Sequence, residues 1–417
     1  MSKKIKVFVI ADHPYSPSGV GMQTRYIIEG LLATGDYSFR CFGGAIKHNN
    51  YEPQKTEEHG DDLIVYPTDG YGSQETVRSL LRTERPDMLW FMTDPRFFPW
   101  LWEIEDEIRS LVPMIYYHVW DNYPYPDFNK VWYDSTDVIV TISKVTDDIV
   151  RNVSPSTECH YLPHAVNTEV FKPVSEEKIM KLREQADIPK DKFMIFWNNR
   201  NARRKHPGTL IFWFKEFLDK VGHDKAALIM HTDPKDVNGP NLPAILGKLG
   251  LTNGEVKFST NKLDLEHLAG LYNMVDVTVN ISDAEGFGLS TLESMCCGTP
   301  IVVNMTGGLQ EQVTNGKEWF GVGIEPSSKA IIGSQDIPYI YEDRINKDDF
   351  INALMKIYEF NREQRRDLGN AGREHVIKNY NFENYQKRWD EILKSVHEKY
   401  GSWSTRKDYN RWEFLEV

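Results

Sequence analysis

The apolar residues of this chain fall in short, nearly unbroken runs separated by glycine-bearing or polar loops. Residues 5–10, 88–92, 114–118 and 138–142 each have the length and apolar density of a strand buried on both faces. A helix is expected from Met22 to about Ala33, directly after the loop 11–21. A second series starts at residues 193–197 and continues with apolar strands at 275–281 and 300–303. Helical periodicity marks 348–358, 362–379 and 382–400. Strands alternating with helices predict an α/β protein with doubly wound parallel sheets. The two series predict two domains, with a boundary near residue 173.

One strand-loop-helix-strand unit carries the most chemistry. The strand at 275–281 enters a loop containing Glu285-Gly286-Phe287-Gly288-Leu289. The helix that follows carries Glu293, and the strand at 300–303 closes the unit. Such a loop lies at the carboxyl ends of the strands, where open α/β sheets bind ligands. Gly286 and Gly288 let backbone amides approach a ligand closely, and the helix N-terminus behind them favours a diphosphate. A carboxylate accepts paired hydrogen bonds from vicinal hydroxyls, so Glu293 suits a ribose diol and Glu285 a transferred sugar. A lone Gly-x-Gly would be explained as an ordinary turn. The whole string from Glu285 to Glu293, followed by Thr306-Gly307-Gly308, resembles the Glu-x7-Glu carboxylate signature of the retaining GT-B glycosyltransferases. That large family, glycosyltransferase family four or group 1, includes sucrose synthases and bacterial mannosyltransferases.

The resemblance implies two Rossmann-like domains facing across a cleft. An acceptor-side domain would span 1–173 and be completed by a C-terminal helix at 386–417; a nucleotide-sugar-binding domain would span 174–385. Arg200 and Lys205, in Asn198-Asn199-Arg200-Asn201-Ala202-Arg203-Arg204-Lys205-His206, match the family's cations that clamp the diphosphate. As the anomeric bond breaks, negative charge grows on the leaving phosphate, and preorganised cations stabilise it. With no Asp-x-Asp at a strand end, no metal is expected, and the nucleotide sugar is a substrate rather than a cofactor. His118, at the end of a strand, matches a family histidine near the reacting centre. Gly19 and Gly21 resemble the first loop that faces the donor phosphates or the acceptor. Asp121 and Tyr123 are expected on the acceptor side. The segment 161–173 resembles the linker-proximal Pro-Asn-Gly-Val-Asp motif, with His164 and Ala165 replacing Asn and Gly. Glu311 follows the diglycine as a loop-closing acid, and 331–345 has no family counterpart and reads as an insertion at the rim.

Composition narrows the setting. A chain of 417 residues with 40% apolar content is long enough for two cores. Cys41, Cys159, Cys296 and Cys297 lack metal-ligand spacing and suggest a reducing, cytoplasmic location. The apolar run after Met1-Ser2-Lys3-Lys4 is too short for a signal peptide, and no run is long enough to span a bilayer. Residues 1–170 carry 15 Lys and Arg against 25 Asp and Glu. That balance repels phosphate backbones and favours a saccharide or glycoconjugate acceptor over the alternative of a modified nucleic-acid base. A non-catalytic nucleotide-sugar-binding protein is the other alternative.

Overall fold

The computed structural model describes residues 3–410. Residues 1–2 of the amino-terminal segment and 411–417 of the expected closing piece lie outside the described residues. Two compact units emerge: Met1–Ala165 with Gly333–Tyr339 and Phe382–Val417, and Val166–Ile332 with Ile340–Asn381. The chain passes between them at 165/166, 332/333, 339/340 and 381/382, where the sequence suggested boundaries at 173 and 386.

The first unit is built on eight strands: β1 (Ile5–Asp12), β2 (Tyr37–Gly44), β3 (Gln54–Lys55), β4 (Leu63–Pro67), β5 (Met88–Thr93), β6 (Met114–His118), β7 (Val138–Thr141) and β8 (Glu158–Tyr161). Their order is β3-β4-β2-β1-β5-β6-β7-β8, and all but the β3–β4 pair run parallel. The order reverses between β1 and β5. Burial of β5 and β6 along their whole length explains their unbroken apolar runs. The helix Phe382–Tyr400 belongs to this unit. It seats Trp389 edge-on against Trp90 at 5.8 Å and Tyr117 at 4.9 Å, and Tyr37 donates to the Asp390 carboxylate at 2.8 Å.

The second unit has a six-stranded parallel sheet: β9 (Phe193–Asn198), β10 (Ala226–His231), β11 (Val256–Ser259), β12 (Val277–Asn280), β13 (Ile301–Asn304) and β14 (Gly321–Ile324). Their order is β11-β10-β9-β12-β13-β14, so the winding reverses between β9 and β12. One face of the core joins Ile195, Trp197, Leu228 and Val279 to Phe214, Phe217 and Leu354 of the covering helices. Beyond β14 the expected insertion is an antiparallel hairpin, β15 (Ser328–Ile332) and β16 (Ile340–Arg344), pairing Ser328 with Arg344 through Ile332 with Ile340. Helices Arg362–Asn379 and Phe382–Tyr400 have the expected ends, while the one expected from 348 runs Lys347–Glu359. Among the described residues, no helix is long and apolar enough to cross a membrane.

Candidate functional site

The loops that follow β9 and β12 leave adjacent strands where the strand order reverses, the point at which two diverging loops can open a ligand site. The β9 loop winds into a short 3₁₀ turn, Arg203–Lys205, and then into the helix Pro207–Val221. His206 takes a left-handed φ of 54° at the joint. Asp283 N–H donates to Arg204 O at 2.9 Å, and the Arg204 guanidinium donates to Ala284 O. Those bonds lock the two loops together and bring Lys205 Nζ against Glu285 Oε2.

Both members of that pair are close to buried, with side chains 9% and 12% exposed. Burial alone would raise the Glu285 pKa. The Lys205 and Arg204 charges, with hydrogen bonds from Lys205 and Asn280 Nδ2 (3.2 Å), outweigh it and hold the carboxyl below its ordinary value. Glu285 is therefore an anion pinned beside a cation. The remaining cations of this loop point elsewhere. Arg200, expected in the diphosphate clamp, is two-thirds exposed and bound to Asp236 at 2.7 Å. Arg203 pairs with Glu342 of β16 at 2.5 Å.

Glu293 lies on the helix Leu289–Cys296 and is 5% exposed. Tyr272 donates to its Oε2 at 2.8 Å, and Asn198, the last residue of β9, donates to the Tyr272 hydroxyl at 2.9 Å. Burial raises its pKa to about 7 against the weaker opposing pull of the Tyr272 bond. The two glutamates thus have opposite electrostatics on one short segment: Glu285 is stabilised as an anion, and Glu293 is poised to take or lose a proton near neutrality.

The glycines around them work by close packing. Gly288 has φ 92° and caps the helix, and its carbonyl accepts from Thr291 Oγ1 at 2.8 Å. Gln312 Nε2 donates to the carbonyls of Phe287 (2.7 Å) and Gly288 (3.1 Å). Gly308 N–H donates to Glu285 O at 3.1 Å. A Cβ on Gly308 would stand 2.6 Å from Phe287 Cα and 2.8 Å from Gly286 O, so the diglycine loop fits only without a side chain there. Phe287 is buried against Tyr380, and Leu289 begins the helix half-buried. Glu311 is buried on the short helix Leu309–Val313, and its carbonyl accepts from His375 Nε2 and Tyr380 OH.

The residues expected in the first unit fare differently. The helix expected from Met22 begins at Gly19, because Ser18 caps it and its Oγ accepts from Gly21 N–H at 3.0 Å. That amide is thus taken up by the cap, where the sequence had it facing a ligand. A Cβ on Gly21 would meet His13 O at 2.6 Å, so this glycine too serves a close approach. His118 lies deeper than its position at a strand's end suggested. Its ring is fully buried between Tyr116 and Tyr133, with Nε2 2.7 Å from the Tyr133 hydroxyl, and burial lowers its pKa to about 3. In this structure the ring is a buried group partnered by Tyr133 rather than an exposed one at the strand's end. Asp121 is half-buried, and Tyr123 donates to Asp148 at 2.7 Å.

Three residues that hold the glycine loops of the two units, each within its own unit, escaped the sequence reading. Asp12, buried at the end of β1, accepts from Ser18 Oγ at 2.5 Å and Tyr71 OH at 2.8 Å, organising the first glycine loop. Asn280 and Asn304, at the ends of β12 and β13, tie the Glu285 loop from beneath: Asn280 Oδ1 accepts from Ser282 N–H at 3.1 Å, and Asn304 Nδ2 donates to Ser282 O at 2.8 Å. A polar residue ending an apolar strand is the one signal that could have flagged all three. Among the described residues, no group of three or more His, Cys, Asp or Glu is arranged to hold a metal ion.

Comparison with known proteins bears on the family and the fold. Residues 178–375 match the family model described as "Glycosyl transferases group 1". The chain is 29% identical over 203 residues to a D-inositol 3-phosphate glycosyltransferase of Corynebacterium jeikeium, covering 47% of this chain and 48% of that protein. It is 30% identical over 154 residues to one from Streptosporangium roseum, covering 36% and 35%. The matches to these curated relatives thus span about half their length or less. In structure, the chain superposes on sucrose-phosphate synthase from Thermosynechococcus elongatus with a TM-score of 0.76 at 18% identity, over 95% of this chain and all of that one. An Anabaena protein solved with UDP and glucose gives 0.68 at 16% identity, over 94% and 100%. These likenesses identify the α/β architecture with parallel sheets as the GT-B fold. The match to the glycosyl transferases group 1 model thus spans residues 178–375, a little under half of this chain, and takes in both Glu285 and Glu293 at the reversal of the sheet.

Proposed function

We propose that the protein is a glycosyltransferase that moves a hexose or related sugar from a UDP- or GDP-sugar to a hydroxyl of a saccharide or glycoconjugate, with retention at the anomeric carbon. The observation that carries this reading is the Lys205–Glu285 pair at the reversal of the second sheet, with Glu293 buried on the helix behind it. In this reading Glu293 accepts the ribose hydroxyls. Glu285, kept anionic by Lys205 and Arg204, accepts hydrogen bonds from the transferred sugar. Lys205 sits where the leaving phosphate gains charge in this reading, while Arg200 stays paired with Asp236.

Charge stabilisation then comes from side chains, so turnover is expected without a divalent ion. Support for a UDP-sugar comes from the neighbours: the Anabaena protein is described with UDP-glucose, and an Escherichia coli trehalose-6-phosphate protein with UDP-2-fluoro glucose (TM-score 0.70, 12% identity). The acidic first 170 residues favour an uncharged acceptor over a nucleic acid. A thermal-shift panel of UDP-, GDP- and ADP-sugars tests the reading, since a ligand bound to the native state raises the melting temperature by mass action. One donor class should give a shift and be consumed with an α-configured product from an α-configured donor. No shift with any of the three, or an inverted product, refutes it.

A further inference from the structure

The hairpin β15–β16 has no counterpart in the motifs discussed above, yet its second strand reaches all three loops of the site. Glu342, 2% exposed, accepts from the Arg203 guanidinium of the β9 loop at 2.5 and 3.2 Å and from Arg344 at 2.9 Å. Asp343 N–H donates to Asp283 O of the β12 loop at 2.9 Å. Asp343 O accepts from Asn304 at 2.7 Å, and its Oδ2 accepts from Thr306 at 2.8 Å, both at the end of β13. Lys329, across the hairpin, lies 3.5 Å from Asp343 Oδ1. Beneath it, Asp283 is 4% exposed and faces His206 Nε2 at 2.6 Å and Arg344 Nε at 3.8 Å.

Two backbone bonds set the order of these segments. Arg204 O accepts from Asp283 N–H, and Asp283 O accepts from Asp343 N–H. The β9 loop, the β12 loop and the hairpin are therefore stacked in three layers. Lys205 is one residue beyond the first bond, and Glu285 is two residues beyond Asp283. A shift of the outer layer is passed to the pair through a backbone bond on one side and the Arg203–Glu342 ion pair on the other.

The geometry points to the 328–344 hairpin as a positioning element for donor cleavage, with Glu342 and Asp343 as positioning residues that act through Arg203 and the Asp283 loop on Lys205 and Glu285. This rests on the reading of that pair as part of a nucleotide-sugar site. Misplacing reacting groups by about 1 Å costs up to about a hundredfold in rate. Loss of the hairpin's hold should therefore appear in turnover more than in binding.

The test uses the full chain, with UDP-glucose and GDP-mannose as donor probes and slow donor hydrolysis as the readout, which needs no acceptor. Glu342→Gln and Arg203→Gln should each lower kcat about tenfold or more. KM for the donor and Kd for the nucleoside diphosphate should stay within about threefold. Because the two act as one pair, the double variant should be no slower than the worse single variant. Thr306→Val removes a single hydrogen bond to Asp343 and should give a smaller kcat loss with an unchanged melting temperature. Multiplicative losses in the double variant, or a loss of diphosphate affinity matching the loss of kcat, would overturn the proposal. So would full activity of all three variants. If the wild-type chain neither binds nor hydrolyses either probe, the functional reading itself fails. If it does both and the variants behave like wild type, the hairpin proposal alone fails.

Discussion

Glu293→Gln separates a group kept for stability from one kept for ligand binding. The native carboxyl has its pKa raised from 4.5 to about 7 by burial. Below pH 4.5 it is protonated in both the folded and unfolded chains, and folding carries no penalty. Between 4.5 and about 7 the unfolded chain ionises and the native one does not, so native stability is lost at about 1.4 kcal/mol per pH unit. Above about 7 the penalty is constant, at about 3 kcal/mol if the group is wholly buried. A glutamine has nearly the same shape, does not ionise, and its Oε1 can still accept from Tyr272.

The variant should accordingly match wild type near pH 4.5 and exceed it by up to about 3 kcal/mol at pH 8. At the same time it should lose nucleoside diphosphate affinity by about 1.5–3 kcal/mol, the scale of a hydrogen bond to a charged group. Denaturant unfolding of both proteins from pH 4.5 to 8, with calorimetric binding of UDP and GDP, measures both quantities. Parallel stability curves across that range would show that burial does not shift the carboxyl. A variant less stable at pH 8 would show that Glu293 is a structural acid, and the ribose role would fall with it.

Lys205→Met removes the ion-pair partner of the buried Glu285, leaving it the Asn280 hydrogen bond and the Arg204 charge, and should cost about 3–5 kcal/mol in unfolding free energy, with much of that recovered by adding Glu285→Gln. His118→Phe should lose about 1–3 kcal/mol because the buried Tyr133 hydroxyl loses its acceptor and keeps only the 3.3 Å bond it accepts from Asn129. Donor hydrolysis should persist, and the wild-type pH–rate profile should contain no inflection that this substitution removes; a collapse of turnover at unchanged stability would restore His118 to the site. Gly308→Ala drives a methyl into Phe287 Cα and should destabilise by about 1–3 kcal/mol, read as a lowered denaturant midpoint with an unchanged slope. Turnover in excess chelator should equal that in Mg²⁺ or Mn²⁺; abolition by chelator and rescue by either ion would disprove the side-chain mechanism.

How much of this was legible from sequence depended on whether a residue's role is local. The buried parallel strands announced themselves because both faces are covered, leaving runs such as Met114–His118 with no polar interruption. The Glu285–Glu293 segment was readable for a similar reason: loop, glycines and helix are contiguous, so their order encodes their geometry. His118 shows the limit. A strand's last residue can point to a ligand or into the core, and here Tyr133, fifteen positions away, decides by supplying a buried hydroxyl. Arg200 and Lys205 show the same ambiguity within one loop. Four cations in six positions look equivalent in sequence, yet the 3₁₀ turn sends Lys205 inward to Glu285 while Arg200 swings out to Asp236.

The hairpin is the hardest case, and it explains why a motif search stops short of a site. Glu342 and Asp343 have no local signature; their meaning comes from Arg203, Asp283, Asn304 and Thr306, which lie 37 to 139 positions away in sequence. Burying Glu342 and Asp283 requires that each meet a cation, because an unpaired acid there would be neutralised or expelled. Once Arg203 and Arg344 meet Glu342, and Arg344 also faces Asp283, the bond from Asp283 N–H to Arg204 O leaves the β9 loop unable to move independently of the β12 loop. The same contacts that remove the buried-charge penalty thus hold Lys205 against Glu285. In this fold, the placement of the reactive pair and the neutralisation of the acids beneath it are one structural requirement.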